Sequence, residues 1–130
     1  MLRQLTRLTS VVLLVTGCAS GGDDYYDATG TLVVDWTVDG TKDPGSCRDF
    51  GADALSIVLR TRSGSFIDEL QPLCERFSTA IDLSPGSYRV DVVLLDPAGG
   101  EITTTVHANA LIYDYETTFS AFDFPLDSFL

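Results

Sequence analysis

One histidine, His107, serves the whole chain, and that scarcity removes most ordinary catalytic vocabulary. No G-x-S-x-G turn surrounds any serine, and no oxyanion signature accompanies the histidine. Alternation along Ile102 to His107 puts His107 on the face opposite Ile102, Thr104 and Val106, which reads as a surface histidine. Cations are scarce as well: eight Lys and Arg stand against nineteen Asp and Glu. A surface of that sign repels phosphate backbones, so a nucleic-acid role is excluded. Long apolar runs are missing. The longest aliphatic stretch, Val11 to Val15, falls far short of the ~20 residues needed to span a bilayer. No segment after Gly30 carries a convincing helical period. With no nucleophile and base set in a motif, the sequence implies a protein that is not an enzyme and takes no cofactor. A carboxylate pair for glycoside hydrolysis could be drawn from so many acids that the abundance itself makes it uninformative.

The first eighteen residues show an export pattern. Arg3 and Arg7 precede the aliphatic stretch Leu8 to Val15, and Val15, Thr16, Gly17 and Cys18 follow as one aliphatic residue, two small ones and a thiol. This segment resembles the lipobox of bacterial lipoproteins. The resemblance implies a signal peptide over 1–17, a thioether-linked diacylglycerol on Cys18 and cleavage before it. Several acyl chains at ~0.8 kcal/mol per buried methylene would make attachment to the membrane lasting. Ala19, where an Asp would act as the common inner-membrane retention signal, makes the outer membrane of a Gram-negative bacterium the expected address. Removing the signal leaves six cations against nineteen acids, a net charge of −13. Residues 18–29 are small, polar and Gly-rich, a composition suited to a flexible tether.

From Gly30 to Phe124 the hydrophobic period is two. Leu32, Val34, Trp36 and Val38 define the inward face of a first strand; Leu55, Ile57 and Leu59 do the same for a second. Ser63 and Gly64 suit a hairpin into Ser65 to Leu70. Phe77 to Leu83, Tyr88 to Leu94, Ile102 to His107 and Thr117 to Phe124 read as further strands, with a short one at Ala110 to Tyr113. About seven strands at this spacing predict an all-β antiparallel sandwich over 30–124, followed by a tail over 125–130. The run Leu83, Ser84, Pro85, Gly86, Ser87, Tyr88, Arg89, Val90 resembles the L-x-P-G-x-Y-x-V corner of prealbumin-like domains, which implies an Ig-like sandwich and no particular ligand.

Cys47 and Cys74 remain once Cys18 is assigned to lipid. An isolated pair in an exported domain of this size is expected to form a disulfide, worth about 3 to 4 kcal/mol in the chain-entropy description. Trp36 shares its face with Leu32, Val34 and Val38 and is expected in the core. Tyr113 and Tyr115, flanking Asp114 near a turn, are the candidate ligand contacts. The acidic loop Asp39 to Pro44, with Asp49 and Asp53 beyond, has the oxygen ligands calcium uses but lacks the regular D-x-D-x-D-G spacing, and no metal site is assigned. These readings predict a lipid-anchored envelope module, structural or engaged with a protein or glycan. A carbohydrate- or calcium-binding module is the alternative, and an envelope enzyme the remotest one.

Overall fold

The computed structural model describes residues 28–130. The signal expected over 1–17, Cys18 and the tether up to residue 27 lie outside the described residues. Alternation is clearest in β1 (Gly30–Val38), where Leu32, Val34, Trp36 and Val38 are fully buried and the residues between them half-buried. Six more strands follow: β2 (Ala54–Thr61), β3 (Phe66–Leu70), β4 (Ser78–Leu83), β5 (Gly86–Leu95), β6 (Val106–Ile112) and β7 (Thr117–Phe124). They form two sheets, one ordered β4-β1-β7 and the other β3-β2-β5-β6. The fold is the expected all-β sandwich. Its core joins the inner residues of β1 to Leu55, Ile57, Leu59, Val90, Val92, Leu94, Ile112, Phe122 and Phe124.

The L-x-P-G-x-Y-x-V run is the corner that carries the chain from the smaller sheet to the larger, from β4 to β5. The Tyr88 hydroxyl donates to the Ser84 carbonyl and ties the corner off. Four pairings are antiparallel, but β1 and β7 run parallel, with Thr31 opposite Thr117 and Val38 opposite Phe124. The sandwich is antiparallel in every pairing but this one. A parallel pair needs a long crossover, and the second sheet supplies it, since the chain leaves β1, builds the other layer and returns along β7.

Three expectations change. Of the segment Ile102 to His107 only Val106 and His107 lie in a strand, and Ala110 to Tyr113 is not a separate one; a single strand, β6, spans Val106 to Ile112. Upstream of it Thr103 is buried and its hydroxyl accepts the Leu94 N–H at 3.0 Å, so a side chain replaces the ladder and regular pairing starts three residues later. In β5 burial is continuous from Val90 to Leu95 instead of alternating: β5 is an inner strand flanked by β2 and β6, and on its outer face the side chains of Arg60, Arg89 and His107 gather over Asp91. Third, a short helix, α1 (Pro44–Asp49), occupies the acidic loop. Asp43 caps it, accepting the Gly45 N–H at 3.0 Å, and Pro44 takes the first position, where no N–H is required.

The disulfide Cys47–Cys74 is formed and joins α1 to the 3-10 turn Cys74–Arg76. Both cysteines are fully buried. Trp36, in the core as expected, donates its Nε1–H to the Cys74 carbonyl at 2.9 Å. The C-terminal tail is pinned back: the Thr104 and Leu130 N–H groups donate to the Ser128 and Ile102 carbonyls, and Phe129 stacks on Phe50 with centroids 4.7 Å apart.

Candidate functional site

β6 and β7 belong to different sheets, and each is an edge strand. The turn joining them, 113–116, holds them together at one end, where Thr118 Oγ1 donates to the Leu111 carbonyl at 2.8 Å. Beyond that contact a seam of about 570 Å³ lies open between the sheets. It opens there because the facing residues are small. Ala110 on β6 and Thr118 and Ser120 on β7 line it, whereas further along β7 the same face carries Phe122 and Phe124 and is closed. Leu111, Tyr113 and Phe119 form an exposed apolar rim; Phe119 is 69% exposed. Tyr88, Asn109, Ser87 and Arg62 complete the lining. The walls hold no Asp or Glu in a chain with nineteen, and Arg62 makes no ion pair among the described residues.

Of the two tyrosines singled out from sequence, Tyr113 lines the seam and Tyr115 does not. Tyr115 sits at the turn in a left-handed conformation, φ 59°, with its N–H on the Thr29 carbonyl at 2.9 Å, and the residue is 87% exposed. Gly30 lies beneath this turn. A Cβ there would overlap the Tyr113 carbonyl oxygen and the Ile112 side chain, so only glycine permits β1 to enter so close. Sequence reasoning missed Arg62, Asn109, Leu111 and Tyr88 as neighbours. The available signal was the loss of bulk on the inner face of β7, from Phe124 and Phe122 to Ser120 and Thr118.

His107 lies on the outer face of the larger sheet, its side chain 54% exposed, with Nδ1 2.6 Å from Asp91 Oδ1. Arg60 and Arg89 reach the same carboxylate at 3.2 and 3.0 Å, so Asp91 ties β2, β5 and β6 together. Ser56 shares the shallow depression, but its hydroxyl donates to Glu69 Oε2 at 2.6 Å and not to the histidine. Serine, histidine and aspartate are therefore present without the wiring of a triad. Burial alone would raise the Asp91 pKa, but hydrogen bonds from Arg89 and His107, reinforced by their charges, outweigh it and hold the carboxyl below its ordinary value.

A lowered folded-state pKa adds stability that is present above the unfolded carboxylate value near ~4 and is lost as pH falls through the folded value. Asp91→Asn should therefore cost about 1 to 2 kcal/mol at neutral pH, discounted for the exposed cations, and should weaken the acid-side loss of stability. Urea midpoints followed from pH 7 to pH 2 test this. Midpoints that fall in parallel for both proteins would count against it.

The acids of the calcium candidate loop have local duties. Asp43 caps α1, Asp39 turns at φ 50°, and Asp49 and Asp53 are exposed. No group of three or more His, Cys, Asp and Glu side chains is placed to hold a metal ion among the described residues.

No family model matches the chain, and no curated protein matches it significantly. Among solved structures it is similar to a leucine-rich repeat protein from Bacteroides thetaiotaomicron, at 11% identity and a TM-score of 0.51, over 77% of this chain and 12% of that one. A candidate polysaccharide-binding protein from the same organism aligns at 10% identity and a TM-score of 0.46, over 71% of this chain and 46% of the other. The chain thus spans less than half of either neighbour. At such identity the first likeness bears on the fold alone, and the second carries no argument.

Proposed function

We propose that this chain is a non-catalytic, lipid-anchored module of the bacterial envelope whose β6/β7 seam holds a segment of a polymer, protein or glycan. The observation that carries the reading is the seam itself: an open, acid-free groove with an apolar rim on a chain of strongly negative charge. Grooves that are mostly apolar with a few convergent polar groups are the usual form of binding sites. The anchor rests on the Val15-Thr16-Gly17-Cys18 motif, and Ala19 supports the outer membrane as its address.

Two experiments test the two halves. Cys18→Ser should abolish palmitate labelling and leave an unprocessed precursor; normal labelling of that variant refutes the anchor. For the seam, the detergent-solubilised full chain should bind at least one component of a panel of envelope glycans and peptides, and Tyr113→Ala should weaken that binding by about tenfold, as expected for loss of an aromatic contact. Full affinity in the variant would remove the seam from the binding site.

A further inference from the structure

The walls of the seam are two sheet edges, and the direction of their backbone groups follows from a few hydrogen bonds. The Leu111 carbonyl accepts from Thr118 across the seam and so points away from β5. In an antiparallel ladder alternate residues turn both backbone groups to the same side, which places the N–H and C=O of Asn109 on that same open edge. On β7 the Glu116 and Phe124 carbonyls accept from Thr31 and Asp39 at 2.9 and 2.8 Å, on the β1 side. Alternation then directs the backbone groups of Phe119 and Ala121 outward. Among the described residues no strand pairs with them.

Edges in soluble proteins are normally guarded by charge, proline or bulges. β3 carries Asp68 and Glu69, and β4 carries Asp82. β7 from Thr117 to Phe122 has no charge, proline or glycine and exposes Phe119. Its unguarded edge borders the seam, whose acid-free wall carries Arg62, a cation with no carboxylate partner among the described residues.

We propose that the open edge of β7 is a strand-addition site for an extended peptide of a partner protein, uncharged along the paired residues and presenting a carboxylate to Arg62. This deepens the binding-site reading of the seam and rests on it. Outward N–H and C=O groups repeating every second residue, at about 7 Å, match an extended chain. The occupant's side chains would alternate between solvent and the floor of small residues, Ala110, Thr118 and Ser120. Tyr88 and Tyr113 also line the seam, so rings are within reach of an occupant; what favours a peptide over a glycan is the row of outward N–H and C=O groups on β7, which a peptide backbone pairs with at its own repeat.

The test uses the full chain in detergent and fluorescent peptides of about eight residues, alternating Thr with Val, Ile, Leu or Phe, each with a free carboxyl terminus or as its C-terminal amide. Carboxylate peptides should bind saturably and their amides about tenfold more weakly, and Arg62→Gln should abolish that difference. Ala121→Pro removes an outward N–H without touching the β1 side and should weaken binding about tenfold. Phe119→Lys should do the same if the proline variant fails to fold, with buried Trp36 emission reporting folding. Unchanged affinity in both folded variants overturns the proposal. So does peptide-independent binding of an oligoglucuronate at the seam, which would leave the broader binding reading standing; binding of neither probe overturns strand addition. A dimer by light scattering that Ala121→Pro dissolves would give the edge to a second copy instead, again overturning it.

Discussion

Trp36→Ala is expected to lower the stability of the folded domain by about 4 to 5 kcal/mol, a large share of the roughly 5 to 15 kcal/mol that a domain of this size has. The residue is the largest of the fully buried side chains and stands on the inward face of the central strand of the smaller sheet, so its removal leaves a void in the core between the two layers. A second contribution comes from its indole N–H. That group is the donor to the buried Cys74 carbonyl, and without it the acceptor loses its partner, at a cost of about 1 to 3 kcal/mol if water cannot enter. Trp36→Phe separates the two effects: most of the volume stays, the donor goes, and a loss of about 1 to 2 kcal/mol is expected. Guanidinium unfolding followed by far-ultraviolet circular dichroism measures both. A loss below about 1 kcal/mol in the alanine variant would mean that the strand does not anchor the core.

The second large effect is that of the disulfide. Changing Cys47 and Cys74 together to alanine should cost about 3 to 4 kcal/mol from the freed loop entropy, given a separation of 27 residues. Because both sulfurs are fully buried, the bond should resist reduction while the domain is folded and yield only in denaturant. Intact mass under non-reducing conditions should show a protein two hydrogens lighter than its reduced form. Two alkylatable thiols in the native protein would refute the bridge. The effects of the tryptophan and the disulfide should not add, because the indole is bonded to the backbone of one bridged cysteine. A double variant that behaves as the sum of the singles would show that α1 and the Cys74–Arg76 turn are positioned independently of β1.

Local patterns were readable where one force dominates. In β1 the alternation of apolar and polar residues gave the inward face, because the strand has one side turned to the core. The Pro-Gly corner was readable from its turn chemistry, and the cysteine pair from its isolation. The start of β6 was not readable, since it depends on the Thr103 hydroxyl displacing a ladder bond of Leu94, two strands' worth of chain that alternation treats separately. α1 had a legible signal in Asp43 and Pro44 but is too short to show a period. Tyr113 and Tyr115 were singled out together as candidate ligand contacts, and nothing local distinguishes Tyr113, which lines the seam, from Tyr115, which the same turn sends elsewhere.

Side-chain alternation, turn residues and cysteine count act over a few neighbouring residues, so strand content, sandwich class and the buried tryptophan follow from the order of amino acids alone. The parallel pairing of β1 with β7, the gathering of Arg60, Arg89 and His107 on Asp91, and the seam between β6 and β7 required the folded chain. Each depends on which edge lies beside which. That is settled by burying the common core of two sheets, a balance in which no single segment carries the answer.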